Sequence, residues 1–261
     1  MRNRVLCLAV PAVAEEVLRV GMECGYAPYN WHQTGESEFT APIADGSGYA
    51  DGYDVQIARR IAQALDKELV IVKTEWDGLT MGVQSGSLDL IIAGMSPTAQ
   101  RRMTIEFSDS YYQSELVVVV RKDGAYAAAQ SLQDLSGARI VGQLNTFHDT
   151  VIDQIPGVQH MMPMDTFPAM IVALRAGAVD GYVAERPGAQ ADTMANPELT
   201  YIEFAEGMGF AASEEDTSIA VGMRQGSELL APINEALAAI SQEEREQMML
   251  DAILRQPLNA E

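Results

Sequence analysis

Cysteine, tryptophan, histidine and positive charge are all scarce in this 261-residue chain: two, two, three and 17 residues respectively. Two cysteines, Cys7 and Cys24, are too few for a disulfide framework, and Cys24 reads as a small buried apolar residue rather than half of a bridge. The histidines, His32, His148 and His160, lie far apart without the spacing of a metal site, so no metal and no cofactor is expected. No apolar run approaches the roughly 18 residues that a membrane-spanning helix requires. The 17 bases face 37 acids, a net charge of −20. Without a basic stripe, nucleic acid and anionic membrane surfaces are excluded as partners. A nucleophile elbow, a phosphate loop and an acid–base dyad are also missing.

What is present is an ordinary globular composition, 48% hydrophobic and 21% charged, in a chain long enough for one large domain or two small ones. Arg2 and Arg4 precede the apolar run Val5 to Val13, with small residues to Ala14. That is the plan of a secretory signal, shorter than usual, so residues 1–14 read as a leader or truncated signal.

From Val17 the chain alternates strand and helix patterns. Val17 to Gly21 reads as a strand and Thr34 to Gly52 as a Gly-rich surface loop. Asp54 reads as the cap of a helix with Val55, Ala58, Ile61, Ala62 and Leu65 on one face. Leu69 to Val72 reads as the second strand. Asp77 opens a short helix closed by Gly86, and Leu88 to Ala93 reads as a buried strand. Ser96 and Pro97 then have the chemistry of a helix N-cap and first position, with Arg101 one turn on. Free amides and a planar guanidinium together suit a carboxylate or phosphate. Thr146 to Asp149 reads as a second capped helix start.

One internal similarity governs the architecture. Gly86 to Ala93 (GSLDLIIA) matches Gly177 to Ala184 (GAVDGYVA) at an offset of 91 residues. Each copy runs from helix end through a glycine and an aspartate into a strand. Two α/β lobes built alike would place two strand ends, followed by Ser96 and Arg101 in one lobe and Glu185 in the other, across a cleft. An anion clamp (Arg101, Ser96, Thr146), an acid (Glu185) and aromatic walls (Tyr26, Trp76) are the parts that a free amino acid needs.

At these residues the chain resembles the polar amino-acid-binding proteins of ABC importers. The likeness runs from Leu18 to the C-terminal helix. It is carried by Gly52-Tyr53-Asp54, by Gly94-Met95-Ser96-Pro97-Thr98 with Arg101, by Phe107 to Tyr112, and by Gln143-Leu144-Asn145-Thr146. It implies a two-lobed, type II periplasmic-binding-protein fold, with 15–114 and 215–261 in lobe 1, 115–214 in lobe 2, and hinges near Ser114–Leu116 and Glu215–Ser218.

Arg101 and Thr146 would hold the ligand carboxylate. Glu185, standing where the family has aspartate, would hold the ammonium with Ser96 and the Gly94 carbonyl, beside Met95. Tyr26 and Trp76 would sandwich the side chain, and Glu23 would meet a cationic end. Asn145 replaces a glycine, which its tolerance of positive φ permits. The resemblance further implies a monomer, an extracytoplasmic location (periplasm or cell-surface lipoprotein) and delivery to an ABC permease. The expected ligand is arginine or lysine, with glutamine and histidine as alternatives. The rival reading is a dehydratase on the same scaffold, with Glu185 as general acid.

Overall fold

A computed structural model describes residues 16–257. Residues 1–14, and with them Cys7, lie outside the described residues. The chain forms two five-stranded sheets and a small four-stranded one. The first sheet runs in the order Glu68–Lys73, Val17–Met22, Leu90–Ile91, Ser218–Met223, Glu106–Gln113. Its first three strands are parallel and Ser218–Met223 is antiparallel to both of its neighbours. The second sheet repeats the plan: Gln159–His160, Arg139–Val141 and Gly181–Glu185 parallel, then Leu116–Arg121 antiparallel to Gly181–Glu185 and to Leu199–Ile202.

The sequence repeat therefore falls on the third strand of each sheet, Leu90–Ile91 and Gly181–Glu185. Its aspartates do the same work in both. Asp89 accepts the backbone amide of Arg19 at 2.8 Å and its guanidinium at 2.8 and 3.0 Å. Asp180 accepts the amide of Arg139 at 3.0 Å and its guanidinium at 2.7 and 3.0 Å. Each aspartate thus ties its strand to an arginine on the adjacent parallel strand by a bidentate, charge-assisted fork. The guanidinium holds both carboxyls below the usual carboxylate range, against a burial that would raise them.

The chain crosses from the first sheet to the second at Ser114 and Glu115, between Glu106–Gln113 and Leu116–Arg121. It comes back through the short helix Glu214–Thr217 into Ser218–Met223, where the Ser114 amide donates to the Thr217 carbonyl at 3.0 Å. Two helices, Leu230–Ala238 and Gln242–Arg255, follow, with Ser241 capping the second of them.

Several local readings need correction. Residues 34–52 are not a bare loop: Ala41–Pro42 and Tyr49–Asp51 join Gly25–Tyr26 and Asn30–Gln33 in the small sheet. Strands of two to four residues are too short for an alternating pattern to show. The buried strand expected over Leu88 to Ala93 is hydrogen-bonded as strand only at Leu90–Ile91. Asp54 lies inside the first turn of Tyr53–Ala64, and the N-cap is Gly52 at φ 130°, where a Cβ would stand 2.3 Å from the Tyr29 carbonyl oxygen.

The helix expected to be capped by Ser96 and to begin at Pro97 starts two residues later, at Ala99, and spans only Ala99–Arg102. Thr98 is its cap, accepting the Arg101 amide at 3.4 Å. Ser96 and Pro97 do not enter the helix because arginine side chains take their carbonyls: Arg101 bonds Ser96 O at 2.9 Å and Arg102 bonds Pro97 O at 3.0 Å.

Candidate functional site

Tyr26 joins the loop after Leu90–Ile91 to the end of Gly181–Glu185: its ring packs at Gly94 and its hydroxyl donates to Glu185. In the first lobe the loop from Ala93 to Pro97 is buried and held from behind. The Gly94 amide donates to the Tyr111 hydroxyl at 3.3 Å, and that hydroxyl donates to Asp54 at 2.7 Å. Asp54 also accepts the Asn30 side-chain amide at 2.8 Å. Burial pushes its carboxyl up to about 6, against these hydrogen bonds. The Met95 carbonyl accepts the Ala220 amide at 3.1 Å, fixing the loop to the returning strand. Gly94 adopts φ 64°, and an added Cβ would press on the Tyr26 ring at 3.2 Å.

Arg101 reaches across the boundary. Besides Ser96 O in its own lobe it meets the Asn145 carbonyl of the other lobe at 3.4 Å, and its guanidinium lies 5.1 Å from the Trp76 ring centroid. Burial lowers it to about 10, so it stays cationic near neutrality. Trp76 donates to the same Asn145 carbonyl at 3.3 Å, and the Asn145 amide donates to Asp77 at 2.8 Å. Asn145 takes φ 58°, so it does adopt the turn that a glycine would. Thr146 is buried but does not cap with its side chain; its hydroxyl donates to the Gln143 carbonyl at 2.7 Å. Asp149 does not close a capping box either, and instead lies 2.9 Å from His160 Nε2.

Glu185 is 4% exposed, and it is not the surface partner of Arg186, which pairs with Glu115 and Glu203. Its carboxylate accepts the Tyr26 hydroxyl from the first lobe and lies 2.9 Å from His148 Nε2. Burial alone would raise it, but the facing imidazole and these hydrogen bonds hold it below the usual range. Tyr26 stacks on Phe167 at 4.1 Å, so the first aromatic wall is Tyr26 with Phe167, while Trp76 lies over Arg101.

Glu23 is reached by the Gln143 side-chain amide at 3.2 and 3.4 Å. Burial, with the nearby charges of Glu75 and Asp77, pushes it up to about 7 against that hydrogen bond. Acids also line the space beside it. A cavity of about 220 Å³ is lined by Glu75, Trp76, Asp77, Leu144 and Asp165. One of about 180 Å³ adjoins Glu23, Lys73, Glu75 and Thr166. A larger one, about 590 Å³, opens along Arg101, Asn145 and Thr146.

The structure thus gathers Gly94, Met95, Ser96, Arg101, Asn145, Thr146, Tyr26 and Glu185 at the boundary, with Trp76 against Arg101 and Asn145 and Glu23 among the neighbouring acids. Sequence reasoning missed His148 and Phe167. Neither carries a motif, and each is recognisable only by its contact with Glu185 or Tyr26. Cys24 is a free, buried thiol pushed up to about 12, and so chemically quiet. Among the described residues no three His, Cys, Asp or Glu side chains gather as a metal would require, and no helix is long and apolar enough to cross a membrane.

The raised carboxyls give the protein a pH signature. Glu23 at about 7, Asp54 at about 6 and Asp192 at about 7 all lie above their unfolded values of about 4. His160 is raised too: burial lowers it, but Asp149 and Asp153 outweigh that. Each group binds protons more readily folded than unfolded. Its stabilising contribution is therefore complete below the unfolded pKa and lost as pH rises through the folded one. The melting temperature by calorimetry is expected to be higher at pH 5 than at pH 8. A higher value at pH 8 would overturn the inference that these carboxyls are desolvated.

Comparison with known proteins agrees with this geometry. Residues 18–252 match the model of bacterial extracellular solute-binding proteins, family 3, and the chain belongs to that family. Membership makes it a binding protein and sets the dehydratase reading aside. A probable histidine-binding protein of Campylobacter jejuni is 31% identical over 196 residues, covering 74% of this chain and 70% of that one. The arginine-binding extracellular protein ArtP of Bacillus subtilis is 25% identical over 188 residues, covering 71% of each. Among solved structures, the substrate-binding protein of an amino acid ABC transporter superposes with a TM-score of 0.74 at 26% identity, over 92% of this chain and 100% of that one.

Proposed function

We propose that this protein captures a cationic L-amino acid, arginine foremost, between its lobes and delivers it to an ABC permease, acting as a monomer outside the cytoplasm, in the periplasm or lipid-anchored at the cell surface. The observation that carries the ligand reading is the electrostatic asymmetry of the site. Arg101 with the Thr146 turn supplies the cationic part, and the acids gather around Glu23, which feels the charges of Glu75 and Asp77; Asn145 joins the two parts, meeting Arg101 through its carbonyl and Asp77 through its amide. An α-carboxylate at Arg101 and an α-ammonium at Glu185 send a long side chain toward Glu23. A guanidinium or ammonium there finds the countercharge that a buried cation requires.

Closure follows as a shift between states. A ligand that touches both lobes has more contacts with them together than apart, and its differential affinity drives the change. The two crossings at Ser114–Leu116 and Glu215–Ser218 serve as hinges.

A thermal-shift screen against the twenty L-amino acids with ornithine and citrulline tests the ligand. Native-state binding at about 1,000 times Kd adds about 4 kcal/mol. The expected result is the largest rise with arginine, then lysine; a largest rise with glutamine would remove the cationic reading. Histidine is the second reading, favoured by the Campylobacter relative's name.

Glu23 adds a second test. A cationic side chain needs the carboxylate, which at about 7 is mostly protonated one unit lower. Arginine affinity by calorimetry is expected to fall about tenfold from pH 8 to pH 6, while glutamine affinity stays level. Parallel pH profiles for the two would detach Glu23 from the ligand.

A further inference from the structure

Glu185 is held on both sides by groups that amine recognition does not by itself demand. One oxygen, Oε2, accepts the Tyr26 hydroxyl from the opposite lobe, and Oε1 lies 2.9 Å from His148 Nε2. His148 is itself buried, 7% exposed, and its ring meets Phe167 edge-on at 5.6 Å. Phe167 stacks on Tyr26 at 4.1 Å, so three rings and one carboxylate form a closed packing unit. The other charged and titratable groups acting on this unit are Arg101, Tyr29, Asp54 and Asp192.

An ionised carboxylate offers about four acceptor directions. Tyr26 and His148 use one on each oxygen, which leaves one on each for another donor. A glutamate side chain also has one more rotatable bond than an aspartate, and ordering it costs entropy. Fixing both oxygens beforehand removes that cost from the binding step.

We infer that His148 is a positioning residue for amine recognition: through Nε2 it aims the Glu185 carboxylate at the ligand's α-ammonium, and so sets selectivity for amino acids over analogues without the amine. This rests on the ammonium-binding role of Glu185 in the proposed function. The side chain of His148 acts through Glu185 and not on the ligand itself.

Calorimetry with two probes tests it: L-arginine, and 5-guanidinopentanoate, which is arginine without its α-amine. Weak binding is read by displacement. His148→Ala is expected to weaken L-arginine about tenfold or more and to leave 5-guanidinopentanoate within about twofold. His148→Gln, whose amide can donate in the same place, recovers most of the loss and guards against a merely misfolded variant. In a Glu185→Gln background His148→Ala adds no further loss, because the group it acts through is gone.

An equal loss for both probes, or a full His148→Ala loss that persists beside Glu185→Gln, overturns the inference. If the wild-type protein ignores L-arginine and takes L-histidine, only the arginine reading fails. The same series then runs on L-histidine and 3-(imidazol-4-yl)propanoate, and selectivity for the amine decides in the same way.

Discussion

Replacing Arg101 by alanine is expected to abolish binding of every α-amino acid, whatever its side chain. The guanidinium is fixed by the Ser96 carbonyl at 2.9 Å and braced over Trp76, which leaves its planar edge preset for a carboxylate. A fork of that kind gains two parallel charge-assisted bonds in a desolvated place. Removing one partner of a buried charge pair costs about 3–5 kcal/mol, or about 200-fold to several thousand-fold in affinity. Arg101→Lys keeps the charge without the fork and should fall between. The lost protein contacts are hydrogen bonds to carbonyls at the lobe boundary, so the melting temperature of the variant should move little. Calorimetry against arginine, histidine and glutamine checks this. Retained tight binding of any of them would place the carboxylate grip elsewhere.

The second large effect is on stability. Asp54→Ala is expected to destabilise the protein by about 3–5 kcal/mol, roughly 10 °C in melting temperature for a chain of this size. Asp54 is fully buried and accepts from Tyr111 and Asn30 at 2.7 and 2.8 Å. Its removal leaves both donors without partners in the core. It also loosens the Gly94 amide, and with it the loop that leads to Ser96 and Arg101. Asp54→Asn keeps the shape and one acceptor but sets an amide where a carboxylate oxygen stood, so a smaller loss is expected. Denaturant unfolding with an unchanged m-value measures both variants. A loss under about 1 kcal/mol for Asp54→Ala would make the network incidental.

Asp54 also shows where sequence legibility ends. It was readable as a residue near a helix start, but its partners lie 24 and 57 positions away, and no local pattern encodes them. His148 is hidden for the same reason, since Glu185 is 37 positions on. The strand and helix order was readable because apolar runs, glycines and aspartates punctuate it. The repeat at Asp89 and Asp180 was readable because two lobes solve the same packing problem with the same residues. The start of the helix at Ala99 was misread from Ser96 and Pro97 because capping chemistry is local, whereas the arginine side chains that take their carbonyls fold back from the next turn. Glu23, Tyr26, Arg101, Thr146 and Glu185 are singled out by the family resemblance, and the contacts around them are not legible in the sequence.

The paired Arg19–Asp89 and Arg139–Asp180 forks bear on the mechanics of capture. Each sits at the entry of the third strand, and the residues proposed to bind follow from that strand's exit: the loop to Ser96 in one lobe, Glu185 in the other. A strand bolted at its root to its neighbour cannot slide or fan when force is applied at its tip. In the proposed capture, contacts made with a ligand at the two tips are expected to act as torque about the two connecting segments, with little absorbed by shear within either sheet. On that reading each lobe is expected to move as a stiff lever, with the angle between the levers as the soft coordinate on which a bound molecule does work.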